Sequence, residues 1–242
     1  MTSLHGKWSF VTGASRGVGW HLATGLAQLG SNLVLHSRDL SHTAALAERL
    51  RASGVTVVTV AAELADTAQI DRLLDQVQAA AQIDILYNNA AIQVAKQSAL
   101  WQTSPADLRR SLEVNLISLV RICDRLAPPM LARGWGRIIN LTSGIVDQPE
   151  QTAYAVSKAG VDKFVRDFAP KLQATGVQMN LLDPGWLRTD LGGPNAPGDP
   201  ASVLPGALVP ALLDNGESGR FFRAQDYTGL SLDAALRKAL TL

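Results

Sequence analysis

The 242-residue chain contains one cysteine, Cys123, so no internal disulfide can form. A reducing compartment, the cytoplasm, is expected for such a chain. Its four histidines, His5, His21, His36 and His42, show no ligand spacing, and a metal site is not expected. No apolar run approaches the ~18 residues needed to cross a bilayer. The opening Met1-Thr2-Ser3-Leu4-His5-Gly6-Lys7 lacks the apolar core of an export signal. Charge of one sign is also missing: 22 Lys and Arg stand against 21 Asp and Glu, with no basic run. That balance argues against nucleic acid or a membrane surface as partner.

What is present is apolar residue in short runs. Hydrophobic residues make up 47% of the chain, enough for one domain that buries roughly three quarters of its unfolded surface. Runs reading as strands fall at 7–12, 32–37, 55–60, 84–88, 137–142, 177–182 and 219–222. Helical patterns lie between them, at 17–29, 41–53, 67–80, 104–131 and 152–175. Ser41 is placed to cap the second helix. Pro128-Pro129 mark a frayed end of the fourth, and Pro170 is expected to kink the fifth. This alternation predicts βαβ units and a single α/β domain over 1–242. Its core would be a Rossmann-type, doubly wound parallel sheet with helices on both faces. Residues 192–210, rich in Gly, Pro, Asn and Asp, read as a long functional loop, with a substrate lid at about 186–210.

Two stretches carry chemistry. The first strand runs into Thr12-Gly13-Ala14-Ser15-Arg16-Gly17-Val18-Gly19, and a helix opens there. Glycines at a strand-to-helix turn let backbone approach a pyrophosphate, and the helix amides point at the anion. The second stretch is Tyr154-Ala155-Val156-Ser157-Lys158, which sets a phenol and an ammonium one helical turn apart. A neighbouring ammonium favours the phenolate, so the pair predicts a tyrosine able to move a proton near neutral pH.

With these motifs the chain resembles the short-chain dehydrogenase/reductase family, over nearly its whole length. The resemblance also rests on Asn88-Asn89-Ala90-Ala91, Asn115, Ser143 and Asp183-Pro184-Gly185-Trp186-Leu187-Arg188-Thr189. The last of these, with Gly219-Arg220-Phe221-Phe222, is similar to carbonyl-reductase-type members. The chain departs from the family pattern at Ala91, usually glycine, and at Glu63, commonly aspartate. It also has a short connection from Ser143 to Tyr154.

The resemblance implies a catalytic tetrad of Asn115, Ser143, Tyr154 and Lys158. Tyr154 would give a proton to a carbonyl oxygen, or remove one from an alcohol. Lys158 would lower the phenol's pKa and hold the nicotinamide ribose, and Ser143 would stabilise the substrate oxygen. Asn115 would hold a water in a proton path, or else bond locally inside its helix. The implied cofactor cradle takes Gly13, Ser15, Arg16, Gly17, Val18 and Gly19 from the first turn. Ser37 and Arg38 follow the second strand, Glu63 and Leu64 the third, and Asn89 and Ala90 the fourth. Pro184, Gly185 and Thr189 follow the sixth, and Tyr154 and Lys158 close the nicotinamide end. Asn88 would also pack beside the cofactor.

The second strand ends in Ser37-Arg38, with no acid for a ribose 2′-hydroxyl and an arginine for a 2′-phosphate, and Arg16 would form the other wall. NADP(H) is therefore expected over NAD(H). The reaction implied is hydride transfer between that cofactor and a small carbonyl or alcohol, with reduction favoured. An oxidising alcohol dehydrogenase or a catalytically weak NADP-binding regulator is the alternative. Segments 92–101, 145–152 and 186–205 would choose the substrate, with Trp186 either lining the pocket or lying in the core. Of the adjacent hydroxyls Thr142 and Ser143, strand alternation lets only one reach the site, and Ser143 is the more terminal. The long fourth and fifth helices are apolar on more than one face, which with the resemblance implies a homodimer or homotetramer.

Overall fold

The structure is a computed structural model and describes residues 2–241. The strands are β1 (Trp8–Val11), β2 (Asn32–Ser37), β3 (Val57–Ala61), β4 (Ile85–Asn88), β5 (Gly136–Leu141), β6 (Val177–Asp183) and β7 (Phe221–Arg223). The helices are α1 (Gly17–Gln28), α2 (Ser41–Ala52), α3 (Thr67–Ala80), α4 (Pro105–Leu112), α5 (Ser118–Arg133), α6 (Thr152–Phe168), α7 (Val209–Leu212) and α8 (Leu232–Ala239). All seven strands form one parallel sheet in the order β3-β2-β1-β4-β5-β6-β7. The expected doubly wound Rossmann-type architecture is the one observed.

The reason lies in the strands' continuous apolar character. Neighbouring residues point to opposite faces, and both faces must be covered. In β1, Phe10 joins a core with Leu73 of α3, Ile122 of α5 and Val161 of α6. Its neighbour Val11 joins the opposite core with Leu22 of α1, Leu46 of α2 and Leu236 of α8. Leu86 and Tyr87 of β4 divide the same way. The chain winds outward from β1 to β3, then returns to β4 on β1's other side. At that reversal the connections leave in opposite directions and open a crevice at the strands' carboxyl ends.

Several local expectations are corrected. The helix expected over 104–131 runs unbroken from Pro105 to Arg133, but it carries a wider π-helical turn at Glu113–Ile117 between α4 and α5. Pro128 and Pro129 lie inside α5 rather than ending it. Burial of Leu126 and Met130 on either side outweighs two lost helical donors whose partners face solvent. The fifth predicted helix stops at Phe168, and Pro170 opens a separate 3₁₀ turn, Ala169–Leu172, instead of kinking it. Ser41 is not a cap: the Asp39 carboxylate accepts from Ser41 N at 2.9 Å and from its hydroxyl. The loop expected over 192–210 is irregular only in its first half. Val203, Ala207, Leu208 and Val209 are buried in the core shared with α1 and the sheet, so the irregular part ends near Pro200. Helix α8, capped by Ser231, was not anticipated at all.

Arg137 of β5 is fully buried. Its guanidinium donates to the carbonyls of Leu213 (3.1 Å), Gly136 (2.9 Å) and Gly176 (3.0 Å) and pairs with Asp214 at 2.7 Å. It thereby ties β5 to the segment after α7. Arg137→Ala leaves a cavity and orphans two distant carbonyls, and stability should fall by about 3 kcal/mol. A urea midpoint, with unchanged m-value, measures it.

Candidate active site

The turn between β1 and α1 presents unsatisfied positive charge. Helix α1 has no side-chain cap at Arg16 and no acidic residue in its first turn. The amides of Gly17, Val18 and Gly19 therefore face outward with the positive end of the helix dipole. Gly13 and Gly17 have positive φ of 65° and 55°. A Cβ on Gly13 would meet Ala90 Cα at 2.9 Å, and one on Gly17 would meet Thr189 Cγ2 at 2.9 Å. Ser15 is half-buried within the turn and Val18 packs against the core beneath it. These residues fit a dinucleotide pyrophosphate: uncapped helix amides with no acid in the helix's own first turn.

A residue outside the expected set holds this turn. His36 of β2 is buried; its Nδ1 accepts from Gly13 N at 3.2 Å and its Nε2 donates to the Ala62 carbonyl at 3.1 Å. Burial pushes its pKa down to about 4, against weaker opposing pulls from the Ala62 carbonyl and Glu63. It is a neutral spacer between the phosphate turn and the end of β3. Its position inside an apolar strand was the only available signal.

Asn89 acts on the same turn. Its side-chain amide donates to Thr12 O (2.8 Å) and Gly13 O (3.0 Å). The Thr12 hydroxyl accepts from Asn89 N and Ala90 N, both at 3.0 Å. Asn88 does not join them. It turns into the core, where its amide donates to Asn140 Oδ1 at 2.8 Å and lies against Cys123. The reason is strand alternation: Asn88 is the last residue of β4 and Asn89 the first outside it.

At the far end of the crevice, Arg38 is exposed and makes no hydrogen bond or ion pair among the described residues. Ser37 is buried, with its hydroxyl on the Asp39 carbonyl at 2.6 Å, so it lends the wall its lack of charge rather than a donor. Glu63 is half-buried, accepting from Ala65 N at 3.1 Å, and Leu64 is buried beside it. Arg16 does not stand free as expected. It pairs with Asp190 at 2.9 Å, linking the phosphate turn to the loop after β6, because Thr189 packs directly on Gly17.

The chemical end of the crevice lies where β5 and β6 finish and α6 begins. Tyr154 and Lys158 are both buried. Lys158 Nζ donates to the Leu141 carbonyl at 2.8 Å and lies 5.8 Å from the Tyr154 ring centre. Burial pushes the Tyr154 phenol up to about 12, Asp183 adds to that rise, and a hydrogen bond from Ser143 opposes it. Burial likewise pushes Lys158 down to about 8, against the pull of Asp162 and Asp183. The expected lowering of the phenol by Lys158 is thus overturned in this state: burial disfavours both charges at once. A protonated phenol remains, which is the proton-donating form.

Ser143 and Thr142 divide as alternation requires. The Thr142 hydroxyl donates to the Asp162 carboxylate beneath α6, while Ser143 faces Tyr154. Asn115 sits in the π-helical turn with its side chain fully committed. Its Nδ2 donates to Ile92 O and Ser157 Oγ, both at 2.9 Å, and its Oδ1 accepts from Ile92 N at 2.8 Å. Neither partner lies in its own helix, so the local-bonding alternative does not hold: Asn115 ties the π-helical turn to the Ile92 segment and to α6. Pro184 and Gly185 follow β6, where Gln225 Nε2 donates to the Pro184 carbonyl at 2.8 Å.

Two of the substrate-facing segments are strapped together: Gln97 N donates to the Glu150 carbonyl at 2.9 Å, and Gln93 bonds Gln151. In the third, Trp186 is 60% exposed and bonds the Gly192 carbonyl, so it is a loop residue and not core. Trp101, 98% exposed, lies in the first.

Comparisons with known proteins agree with this geometry. The family described as short chain dehydrogenase matches residues 7–199. A 3-oxoacyl-(acyl-carrier-protein) reductase of Synechocystis is 33% identical over 195 residues, covering 79% of this chain and 78% of the relative. FabG of Pseudomonas aeruginosa, with the same activity in its name, is 31% identical over 227 residues, covering 93% and 87%. A crystal structure described as a 3-oxoacyl (acyl-carrier-protein) reductase of Agrobacterium tumefaciens with NADP bound superimposes with a TM-score of 0.82. It is 31% identical and covers 91% of this chain and 93% of its own.

Ser143→Ala should cost ~10²-fold or more in turnover, the scale of one lost oxyanion donor. Thr142→Ala should cost far less in turnover and show instead as lost stability; steady-state rates with melting curves separate the two. His36 gives an acid-stability signature. Its ordinary value is 6.5 and its folded value about 4, so the unfolded chain takes up the proton first. Its contribution to stability is complete above pH 6.5 and is lost as pH falls toward 4. His36→Gln should flatten the stability profile across that window in denaturant titrations.

Proposed function

The chain belongs to the short-chain dehydrogenase/reductase family, and from that membership we propose that it is an NADP(H)-dependent reductase of a ketone or aldehyde. The observation that carries the reading is a buried Tyr154 beside Lys158 and Ser143, at the carboxyl edge of the sheet and next to an uncapped helix N-terminus. A bound nicotinamide supplies hydride. Gly13, Ser15, Gly17, Val18 and Gly19 would hold its pyrophosphate. Arg38, with Arg16, would hold a 2′-phosphate, and Glu63, Leu64, Asn89 and Ala90 would border the adenosine half. Pro184, Gly185 and Thr189 would face the nicotinamide. Arg16 must leave Asp190 to do its part, an exchange of one exposed pair for another that costs little.

Tyr154 gives its proton to the substrate oxygen, and Ser143 holds that oxygen as its charge grows. Lys158, charged at neutral pH, favours the phenolate left behind. Relatives named for 3-oxoacyl reduction make 3-oxoacyl thioesters the first substrates to try. Exposed apolar side chains around the mouth, Leu100, Trp101, Val146 and Trp186, suit a partly apolar chain.

The outer faces of the long helices keep Ile117, Val156 and Phe168 exposed. We propose that these faces pair in a homo-oligomer. Sedimentation at micromolar concentration should show a dimer or larger, and a monomer would oppose it.

The function is tested by cofactor absorbance with 3-oxoacyl thioesters and simple ketones. NADPH should bind about tenfold or more tightly than NADH. Tyr154→Phe should retain cofactor binding and lose ~10²-fold or more in turnover. Near-normal turnover by that variant would remove Tyr154 from the chemistry.

A further inference from the structure

Asp183, the last residue of β6, has no role in the reading above, yet it stands inside the site. Its Oδ2 accepts from Gly144 N at 3.1 Å and its Oδ1 from Gly185 N at 2.9 Å. One carboxylate therefore joins the residue after Ser143 to the residue after Pro184. Gly144 is shaped to it: a Cβ there would meet Asp183 Oδ2 at 2.8 Å. No cation pairs with Asp183 among the described residues, and it is half-buried. Its charge is met by the two amides, and Lys158 is the cation it acts on.

We propose that Asp183 is a positioning residue that clamps the Ser143 and Gly185 turns together and sets a fixed negative charge beside the proton-transferring pair. The inference rests on the reading of Tyr154 as proton donor. A carboxylate within range of a phenol disfavours the phenolate, and within range of an ammonium it favours the charged form. Both groups then hold their protons to higher pH. The other charged group facing this pair is Asp162 of α6, whose carboxylate is bonded by Thr142 and acts on Lys158. Asp183 alone faces both, and it alone reaches across from the neighbouring strand.

Three substitutions separate charge from clamp. Asp183→Asn removes the charge and keeps one acceptor. The alkaline limb of kcat/KM for carbonyl reduction should move toward acid by about one pH unit, the scale of one near charge. Asp183→Glu keeps the charge but misplaces it, so turnover should fall while the limb stays near the parent's. Gly144→Ala, which drives a methyl into the carboxylate, should lower turnover as Asp183→Glu does, again with little movement of the limb. A limb unmoved in Asp183→Asn, or moved equally in Asp183→Glu, overturns the inference. Tyr154→Phe is measured alongside. If it keeps its turnover, the reading of the phenol fails. If it is inactive and Asp183→Asn leaves the limb in place, only the role of Asp183 fails.

Discussion

The site depends on a hydrogen-bonded seam between β1 and β4. These two strands share the place where the sheet reverses direction, and their register pairs only Ser9, Phe10 and Val11 with Ile85, Leu86 and Tyr87. Beyond that, the chains must part to form the crevice. Thr12 and Asn89 hold them as they part. The threonine hydroxyl bonds Tyr87 O, Asn89 N and Ala90 N, and the asparagine amide bonds the carbonyls of Thr12 and Gly13. Without that seam the crevice would either close or leave backbone groups unpaired. With it, Gly13 is fixed from one side by Asn89 and from the other by His36, and the start of α1 is aimed.

At the other end of the crevice, burial governs chemistry. Taking a phenol and an ammonium out of water disfavours both charged forms, raising Tyr154 and lowering Lys158. The lysine finds a carbonyl, Leu141 O, and so can remain charged while buried. For the tyrosine, burial outweighs the opposing Ser143 hydroxyl and its value rises. Proximity in sequence would have allowed the reverse, a phenolate stabilised by its neighbour. The π-helical turn at Glu113–Ile117 serves the same region: it places Asn115 to bind both backbone groups of Ile92, so the segment after β4 starts from a fixed point.

Much of this was legible in the chain. Apolar runs that alternate with helical periodicity admit few folds, because crossover handedness and two-sided burial exclude the others. Glycines at a strand-to-helix turn, and a tyrosine one helical turn before a lysine, are local patterns whose geometry follows from secondary structure alone. The choice of Ser143 over Thr142 also came from a local rule, strand alternation, and the structure puts Thr142 on Asp162. By contrast His36, Asp183 and Asp190 were not legible as site residues. Their partners, Gly13, Gly144 and Arg16, lie far away in the chain, and nothing nearby marks a histidine or an aspartate as bound for them.

The sequence by itself determined the sheet, the glycine turn after β1 and the one-turn spacing of Tyr154 and Lys158, since each rests on periodicity or on spacing within one turn of chain. Tertiary structure alone decided the state of those residues. It decided that burial raises the Tyr154 phenol, that Arg16 is engaged by Asp190, and that the second half of the expected lid is core. It also kept Pro128 and Pro129 inside α5. The physical reason is common to all four: burial and long-range pairing set the energy of a charge or a backbone kink, and neither can be read from residues that are neighbours only in sequence.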